Sequence, residues 1–198
     1  KTPKTYEAIF TQARAEFRRR DHEIETYTQI SVSPEDDIEL RRVALTNRSE
    51  SPRMIEVTSY AEVVLARQAQ DESHPAFSNL FVQTELVPGR QAIYCTRRPR
   101  SAEEQPPWMM QTMMVRGTTM GELSYETDRL RFIGRQRTHA SPQALEGKSS
   151  LSNSQGPVLD PVVCIRQNVL LKPNETARIH LVTGSGNNER GHEHVSGD

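Results

Sequence analysis

A regular alternation of side chains over residues 53–66 constrains the fold of this chain more than any other feature. Successive side chains of an extended strand point to opposite faces, so a period of two predicts a strand that buries one face. We expect Val57 and Val63 to face the interior, and Glu56 and Glu62 to face solvent or another domain. The first face carries Ile55, Val57, Ser59, Ala61, Val63 and Leu65, and the second carries Met54, Glu56, Thr58, Tyr60, Glu62 and Val64. A single strand of this length suits a large antiparallel sheet.

The segments on either side of this strand also have strand patterns. Residues 38–46 are apolar enough for a strand, but their apolar side chains move from even to odd positions along the segment. A β-bulge near Arg41 and Arg42 would bring them to one face, and the pattern therefore predicts one there. The connection over residues 47–52 is rich in Asn, Ser and Pro, which favour turns. Downstream, residues 80–87 alternate again. Three sequential strands joined by polar turns predict a meander.

The same alternation predicts further strands along the chain. Residues 1–8 are expected to be a frayed or truncated start, and the second half of the first twenty residues is expected to be a strand. Further strands are predicted over residues 24–32, 91–97, 108–115, 122–126, 161–171 and 176–183. Residues 88–90 link one short hairpin, and residues 172–175 link the last one. Since no helical crossover separates these strands, the chain is predicted to be all-β, as a large antiparallel β-sandwich.

Helical structure is expected only as one or two short turns. Thr127 or Asp128 can cap a single turn that ends at Gly134, and Ser141 with the following Pro can start another. Residues 71–75 are predicted to form a polar loop. We expect one domain over residues 1–183, with a truncated start, and a disordered tail or linker over residues 184–198.

The composition excludes several classes of function. The chain has 198 residues, with 25 basic and 26 acidic side chains and a formal charge of -1, so no nucleic-acid partner is expected. No apolar run approaches the roughly 18 residues that a membrane helix needs, and no signal peptide is visible, so the chain itself is expected to make no direct membrane contact. The two cysteines, Cys95 and Cys164, lie in predicted strands, which favours a reducing compartment.

No arrangement of residues typical of a catalytic or metal centre is present. His192 and His194 lie close together in the tail without a third ligand, and there is no H-E-x-x-H or C-x-x-C motif. Most of the carboxylates that could act as an acid in glycoside chemistry are expected to point to water from alternating strands. These candidates are Glu56, Glu62, Glu85, Glu126 and Asp128. We therefore predict no catalytic, cofactor-binding or metal-binding residue, and no cofactor.

Several longer segments of the sequence resemble those of a known family. They are SPEDDIELRRVALTNRS, IEVTSYAEVVLA, HPAFSNLFVQTE, RRPRSAEEQPPW, YETDRLRFIGR and GPVLDPVVCIRQNVLLKPNETARI, and they extend over residues 17–183. In this order they resemble the β-sandwich domain of the cyclic β-1,2-glucan synthases, which also precedes the catalytic barrel of cellobiose and chitobiose phosphorylases. The resemblance implies a supersandwich of the galactose-mutarotase type.

The resemblance also implies a context for the chain. The parent would be a bacterial inner-membrane enzyme that uses UDP-glucose, with its phosphorylase-like region on the cytoplasmic side. The catalytic acid of such phosphorylases is an Asp in the helical barrel, which this chain lacks. The chain is then a non-catalytic module whose partner is the adjacent (α/α) barrel, and β-1,2-glucan is a further candidate partner.

Two alternatives remain open from the sequence. The chain could belong to a free-standing disaccharide or oligosaccharide phosphorylase, or it could be an independent carbohydrate-binding module. An adhesion sandwich is disfavoured, since no signal peptide is visible. Candidate residues for saccharide or interdomain contact are Trp108, since aromatic faces stack on sugar rings, and the pair Asp128 and Arg129 at the capped turn.

Overall fold

The computed structural model describes residues 3–99, 101, 103–147 and 149–187. Within these residues the chain is mostly β, which confirms the predicted all-β class. The strands are β1 (Thr5–Phe10), β2 (Ala15–Asp21), β3 (Ile24–Val32), β4 (Ile38–Asn47), β5 (Arg53–Thr58), β6 (Ala61–Glu62), β7 (Val82–Val87), β8 (Ala92–Arg97), β9 (Pro107–Arg116), β10 (Thr118–Asp128), β11 (Gly156–Pro157), β12 (Pro161–Leu171) and β13 (Thr176–Asn187). The helices are α1 (Gln68–Ser73), α2 (Pro75–Asn79) and α3 (Arg129–Ile133), with 3-10 turns at Pro88–Arg90 and Gln143–Leu145.

The chain divides into two compact units. Unit 1 contains the described residues of Lys1–Thr58, Thr112–Leu123 and Gln167–Gly184. Unit 2 contains those of Ser59–Gln111, Ser124–Arg166 and Ser185–Asp198. The single domain predicted over residues 1–183 stays a prediction. Residues 188–198 of the predicted tail lie outside the described residues.

Unit 1 is built on an antiparallel sheet with the order β1-β2-β3-β4-β13. Val43 of β4 lies opposite Ile179 of β13, and Leu45 lies opposite Ala177. Three of these four residues, Leu45, Ala177 and Ile179, are buried, as are Val169 and Leu171 of β12. The core of the unit thus lies where the apolar side chains of neighbouring strands point to the same face of the sheet.

Asn47 closes this unit at the end of β4, where the sequence predicts a turn. Its Oδ1 accepts hydrogen bonds from the Ser49 N–H at 3.0 Å and the Ser49 hydroxyl at 2.7 Å. Its Nδ2 donates to the carbonyls of Ser51 at 2.8 Å and Leu171 at 3.1 Å. The side chain is fully buried. Because every polar atom of the amide has a partner, its burial is compatible with stability.

Unit 2 contains the predicted hairpin of β7 and β8, in which Val82 lies opposite Arg97. The short strand β11 adds to β7, and β6 pairs with β12 so that Glu62 lies opposite Val162. A compact apolar cluster supports α3 and the start of β12. It consists of Phe132, Ile133, Leu151, Val162 and Cys164, with Tyr60 and Ala144 packed against it.

The predicted fourteen-residue strand and the predicted meander are both wrong. The strand is interrupted between β5 and β6, where the buried Ser59 donates its N–H to the Ile165 carbonyl at 2.9 Å and its hydroxyl to Gln111 Oε1 at 2.9 Å. In the sheets, β4 pairs with β3 and β13, whereas β5 pairs with β12. Alternation identifies a strand but does not specify its neighbour.

Three smaller expectations also differ from the structure. The predicted bulge is wrong, because Arg41 and Arg42 keep an unbroken register with β3 and β13. The predicted loop over residues 71–75 is occupied by parts of the short helices α1 and α2, the second with Pro at its first turn. The last predicted hairpin is wrong, because β12 and β13 follow each other through a tight turn but belong to different sheets.

Candidate functional site

The main cluster of charged side chains lies in unit 2, where β6, α3 and the residue before β12 meet. Glu62 ends β6, Arg129 begins α3, and Asp160 directly precedes β12. Pairing of β6 with β12 brings Glu62 to the start of β12, and the Arg129 N–H donates to the Asp160 carbonyl at 3.0 Å. Backbone hydrogen bonds therefore fix all three side chains in one place.

Glu62 accepts hydrogen bonds from several side chains at once. Its Oε1 lies 2.9 Å from Arg129 Nε, 2.8 Å from the Tyr60 hydroxyl and 2.9 Å from His139 Nε2. The Arg129 hydrogen bond is the main cause of the lowered pKa of Glu62, which falls from 4.5 to about 2. Glu62 is therefore a stable carboxylate at neutral pH and cannot serve as a proton donor.

Tyr60 supports this carboxylate from the apolar side. Its ring lies 4.9 Å from the Phe132 ring and 5.4 Å from the His139 ring. Burial raises the pKa of the Tyr60 hydroxyl above its ordinary value, and the hydrogen bond to Glu62 adds to this. The hydroxyl thus stays protonated and donates to Glu62.

Arg129 connects the two carboxylates of the cluster. Its Nε lies 3.6 Å from Asp160 Oδ2, and the hydrogen bond to Glu62 raises the pKa of the guanidinium. Asp160 in turn accepts a hydrogen bond from Asn79 Nδ2 at 3.1 Å, and burial raises its pKa. Within the described part of the chain, the Nη1 and Nη2 groups of Arg129 make no hydrogen bond. They are the donors of this cluster that remain available to a ligand or partner.

Asp128, one of the predicted contact residues, has a structural role in the turn. Its Oδ1 accepts a hydrogen bond from the Leu130 N–H at 2.8 Å and caps α3, as the sequence predicts. Its Oδ2 lies 3.6 Å from Arg131 Nε. Gly134 ends the helix with φ at 88°, in the left-handed region that favours glycine.

Glu126 is an exception to the expectation that most of these carboxylates point to water. The residue is buried, and its Oε1 accepts hydrogen bonds from the N–H groups of Thr127 and Asp128, both at 3.1 Å, and from the Ser154 hydroxyl. A carboxylate with these partners holds residues 126–128 and 154 together. Glu56, Glu62 and Glu85 are exposed, as expected.

Trp108 lies apart from the charged cluster and lines neither of the grooves described below. Its ring is 5.9 Å from the Tyr94 ring at an interplanar angle of 31°. A Cβ atom at Gly186 would lie only 3.0 Å from Trp108 Cζ2, so the indole packs closely on the backbone of β13. The structure brings Asp128 and Arg129 together and leaves Trp108 as a packing residue.

Two grooves adjoin the cluster, and Arg129 and Asp160 line both. The first, which we call the apolar groove, has a volume of about 820 Å³. It is lined by Glu62, Val63, Val64, Asp71, Ala76, Phe77, Asn79, Leu80, Arg129, Leu159, Asp160 and Pro161. The second, the basic groove, has a volume of about 530 Å³ and is lined by Arg129, Leu130, Ile133, Gly134, Arg135, Gln136, Arg137 and Asp160.

Sequence reasoning identified only part of this site. It selected Arg129 from the capped turn and Glu62 as an outward carboxylate, but it missed Tyr60, His139 and Asp160. Tyr60 and Glu62 share one strand face at a spacing of two, which was an available signal. His139 and Arg129 lie 77 and 67 residues away from Glu62 along the chain, so no local pattern connects them.

The described residues contain neither a metal-binding cluster nor a membrane-spanning helix. No group of three or more His, Cys, Asp or Glu side chains in this part of the chain is arranged to hold a metal ion. Among the same residues, no helix has the length and apolar character needed to cross a bilayer.

Comparison with known proteins identifies a relative that matches most of the chain. It is 36% identical over 158 residues to the cyclic beta-(1,2)-glucan synthase NdvB of Rhizobium meliloti. That match covers 80% of this chain but only 6% of the length of the relative. Among solved structures, a polysaccharide lyase matches at 17% identity and a TM-score of 0.49, covering 90% of this chain and 22% of the other. A protein described as a kojibiose phosphorylase from the human microbiome matches at 9% identity and a TM-score of 0.46, covering 91% and 19%.

A family model gives the assignment for the chain as a whole. The model of the glycosyl hydrolase 94 supersandwich domain matches residues 1–196. This match agrees with the antiparallel sheets, the few short helices and the resemblance found in the sequence. The chain belongs to the glycosyl hydrolase 94 supersandwich domain family.

Proposed function

We propose that this chain is a non-catalytic module of a larger glucan-processing protein, and that it supports a neighbouring catalytic domain of the same polypeptide. The relative NdvB is by name a cyclic beta-(1,2)-glucan synthase, and the matched stretch is a small part of its length. A module of this size within a long enzyme is suited to positioning another domain. The parent protein of this chain is then a bacterial, membrane-associated glucan synthase.

One observation carries the non-catalytic part of this proposal, namely the set of hydrogen bonds that Glu62 Oε1 accepts. The carboxylate already accepts from Arg129, Tyr60 and His139, and its pKa of about 2 keeps it ionised. Glycoside cleavage needs a carboxylic acid that is protonated near neutral pH and faces the glycosidic oxygen. Glu62 fails the first requirement, and Glu126 is buried and held by its own neighbours.

The proposed partner is the catalytic (α/α) barrel of the parent protein, which the resemblance implies. The proposed location is the cytoplasmic side of the inner membrane, with the membrane spans in other parts of the parent. The module catalyses no reaction itself and contributes a folded surface against which the barrel is held. A direct contribution to glucan binding is secondary in this proposal.

The test uses the purified chain and the parent protein in parallel. The chain is incubated with linear and cyclic β-1,2-glucans, with and without inorganic phosphate, and glucose 1-phosphate and chain length are followed. We expect no turnover by the chain alone. In the parent, Glu62→Gln and Asp128→Asn should leave the kcat per folded molecule within about twofold, since neither carboxylate touches the reacting bond in this proposal.

Two outcomes would overturn the proposal. The first is turnover by the isolated chain that persists through repeated purification and disappears in Glu62→Gln or Asp128→Asn. The second is a loss of kcat by two or more orders of magnitude in either variant of the parent while its melting temperature and KM stay unchanged. That second pattern would be typical of a group that acts in the transition state.

A further inference from the structure

The polar face of the unit 1 sheet carries arginines around His180. Arg42 of β4 lies directly opposite His180 of β13, and Arg178 lies two residues before His180 on the same strand. Side chains two residues apart on a strand point to the same face, so all three lie on one side of the sheet. The buried Ala177 and Ile179 point to the other side, and both arginines are exposed.

The end of β9 brings a third arginine to this face. β9 is the next strand of the sheet beyond β13. A Cβ atom at Gly117 would lie only 2.8 Å from the Cβ of the buried Ala177, so the residue that follows β9 packs against the buried side of β13. Arg116 directly precedes Gly117, and its exposed side chain points to the opposite side, which is the side of Arg178. We call the three arginines and His180 the arginine cluster.

The pKa of His180 shows that the charges around it are positive. Burial is the first cause that lowers this pKa from its ordinary value of 6.5, and the neighbouring charges of Arg42, Arg116 and Arg178 lower it further. None of these contributions comes from an acidic side chain. The half-buried imidazole is therefore neutral at pH 7 and sits among guanidinium groups.

The acids of neighbouring strands on this face are already paired with other arginines. These pairs are Glu7 with Arg18, Glu16 with Arg14 and Arg18, Arg20 with Glu23, and Glu25 with Arg48. Glu175, just before β13, accepts a hydrogen bond from the Lys172 N–H. Among the described residues, the arginines of the cluster take part in no ion pair. Since like charges on adjacent strands destabilise a sheet, the cluster has an excess of positive charge that a bound anion would relieve.

We infer that the arginine cluster binds a phosphate group, either inorganic phosphate or the phosphate of a small ester such as a sugar phosphate. A phosphate carries about two negative charges and three strong acceptor oxygens at neutral pH, so it can accept hydrogen bonds from three guanidinium groups at once. A carboxylate has only two oxygens to offer. Ala44 lies between Arg178 and Tyr27, and its methyl group leaves room for the ligand above the sheet. The inference concerns unit 1 alone and does not rest on the proposed function.

The first experiment measures how fast single arginines react with phenylglyoxal, by mass spectrometry of the purified chain and of the parent protein. Potassium phosphate is compared with potassium chloride at equal pH and ionic strength. At a phosphate concentration about ten times the dissociation constant, modification of Arg42, Arg116 and Arg178 should slow about tenfold, because only the empty site reacts. Arg67, an exposed arginine of unit 2, should react equally fast in both salts.

Two results of this experiment would overturn the inference. The first is equal protection of the cluster by chloride, and the second is an Arg178 that is already unreactive in the parent before phosphate is added. Glucose 1-phosphate is tested in the same way to distinguish the two sources of the phosphate group. Protection by glucose 1-phosphate at a much lower concentration than inorganic phosphate identifies an ester as the ligand, and the reverse order identifies the free ion.

The second experiment measures phosphate binding to variants by calorimetry, with the melting temperature as a check on folding. Arg178→Gln should weaken binding at least about tenfold, since it removes a charged donor. Arg67→Gln makes the same change of net charge in unit 2 and should leave the affinity unchanged. Ala44→Glu places a carboxylate beside Arg178 and should abolish phosphate binding in a folded chain. Equal affinities of Arg178→Gln and Arg67→Gln would overturn the inference.

His180 supplies a readout that a diffuse effect of surface charge would not move. A phosphate beside the imidazole favours its protonated form, so the pKa of His180 should rise in phosphate and stay constant in chloride of equal ionic strength. The measurement is an NMR titration of the imidazole signals, in which His180→Gln identifies the signal of His180 by its loss. A pKa of His180 that is the same in phosphate and in chloride would refute binding at the arginine cluster.

Discussion

At the scale of single residues, the lowered pKa of Glu62 predicts how acid affects the fold. A folded-state pKa near 2, against an ordinary value of 4.5, means that ionised Glu62 stabilises the folded chain above pH 4.5. This contribution is lost as the pH falls toward 2, because the carboxylate is then protonated in both states. In Glu62→Gln the contribution is absent at every pH. The free energy of unfolding of the native chain should therefore exceed that of Glu62→Gln near neutrality, and the two should converge on acidification.

The measurement is urea unfolding of both chains at several pH values, and the difference between them cancels the titration of the other carboxylates. Because Glu62 is half exposed, the size of the difference is reduced by solvent screening, and the informative quantity is its change with pH. A difference that stays constant from neutral pH to pH 3 would contradict the network described here.

Asn47 gives a prediction in unit 1 that is independent of the charged cluster. Asn47→Ala removes two donated and two accepted hydrogen bonds of a fully buried amide and leaves the Leu171 carbonyl and the Ser49 N–H without this partner. We expect a loss of about 1–3 kcal/mol in the free energy of unfolding. Gln12→Ala removes an exposed amide and should change the stability by less than about 0.5 kcal/mol. Equal effects of the two substitutions would show that the Asn47 hydrogen bonds contribute nothing.

At the scale of secondary-structure elements, the cap of α3 can be separated from the ion pair beside it. Asp128→Ala removes both the hydrogen bond to the Leu130 N–H and the contact with Arg131, and should cost about 0.5–2 kcal/mol. Asp128→Asn keeps an oxygen that can accept from the Leu130 N–H and loses only the charge, so it should retain most of the stability. Thermal or urea unfolding of the two variants measures how much stability each has lost. An equal loss in both would show that the charge of Asp128, and not the capping hydrogen bond, stabilises the chain.

The strand β6 and the residues that follow it test the predicted facing of side chains. Val63 is 2% exposed, while its neighbour Val64 is 53% exposed. Val63→Asp buries a carboxylate without a partner and should cost several kcal/mol, out of a total stability of about 5–15 kcal/mol. Val64→Asp places the same group in solvent and should fold with a nearly unchanged melting temperature. If Val63→Asp kept the melting temperature of the native chain, the assigned facing of this segment would be wrong.

These elements show which parts of the fold the sequence could predict. The Asn47 turn and the Asp128 cap were predictable because each is made by hydrogen bonds over two to four residues of chain. The facing of Val63 and Glu62 was predictable from the period of two. The pairing of β5 with β12 was not, since a strand pattern carries no information about its partner. The interruption at Ser59 depends on Gln111 and Ile165, which lie 52 and 106 residues further along the chain.

At the scale of the whole molecule, the candidate site belongs to one of the two compact units. Glu62, Tyr60, Arg129, His139 and Asp160 are contributed by distant stretches of chain, yet all lie in unit 2. His139 and Asp160, for which the sequence contains no signal, are contributed by loops, whose position depends on the folding of the entire unit. The sequence thus predicted the strands and the family, but it did not predict which side chains from distant stretches of chain meet in this site.

The two cysteines report on the integrity of this unit in the folded chain. Cys95 and Cys164 are free and fully buried in unit 2, and burial raises the pKa of the Cys95 thiol to about 12 and raises that of Cys164 as well. Only a thiolate reacts with a disulfide reagent, so at neutral pH both thiols should react only when the unit opens. Their labelling rates should be at least several hundred-fold below that of an exposed thiol, such as the one introduced by Ala13→Cys. Low concentrations of urea should raise both native rates in parallel and leave the Ala13→Cys rate nearly constant. If Cys95 reacted as fast as the Ala13→Cys thiol in the absence of urea, the close packing of this part of the core would be refuted.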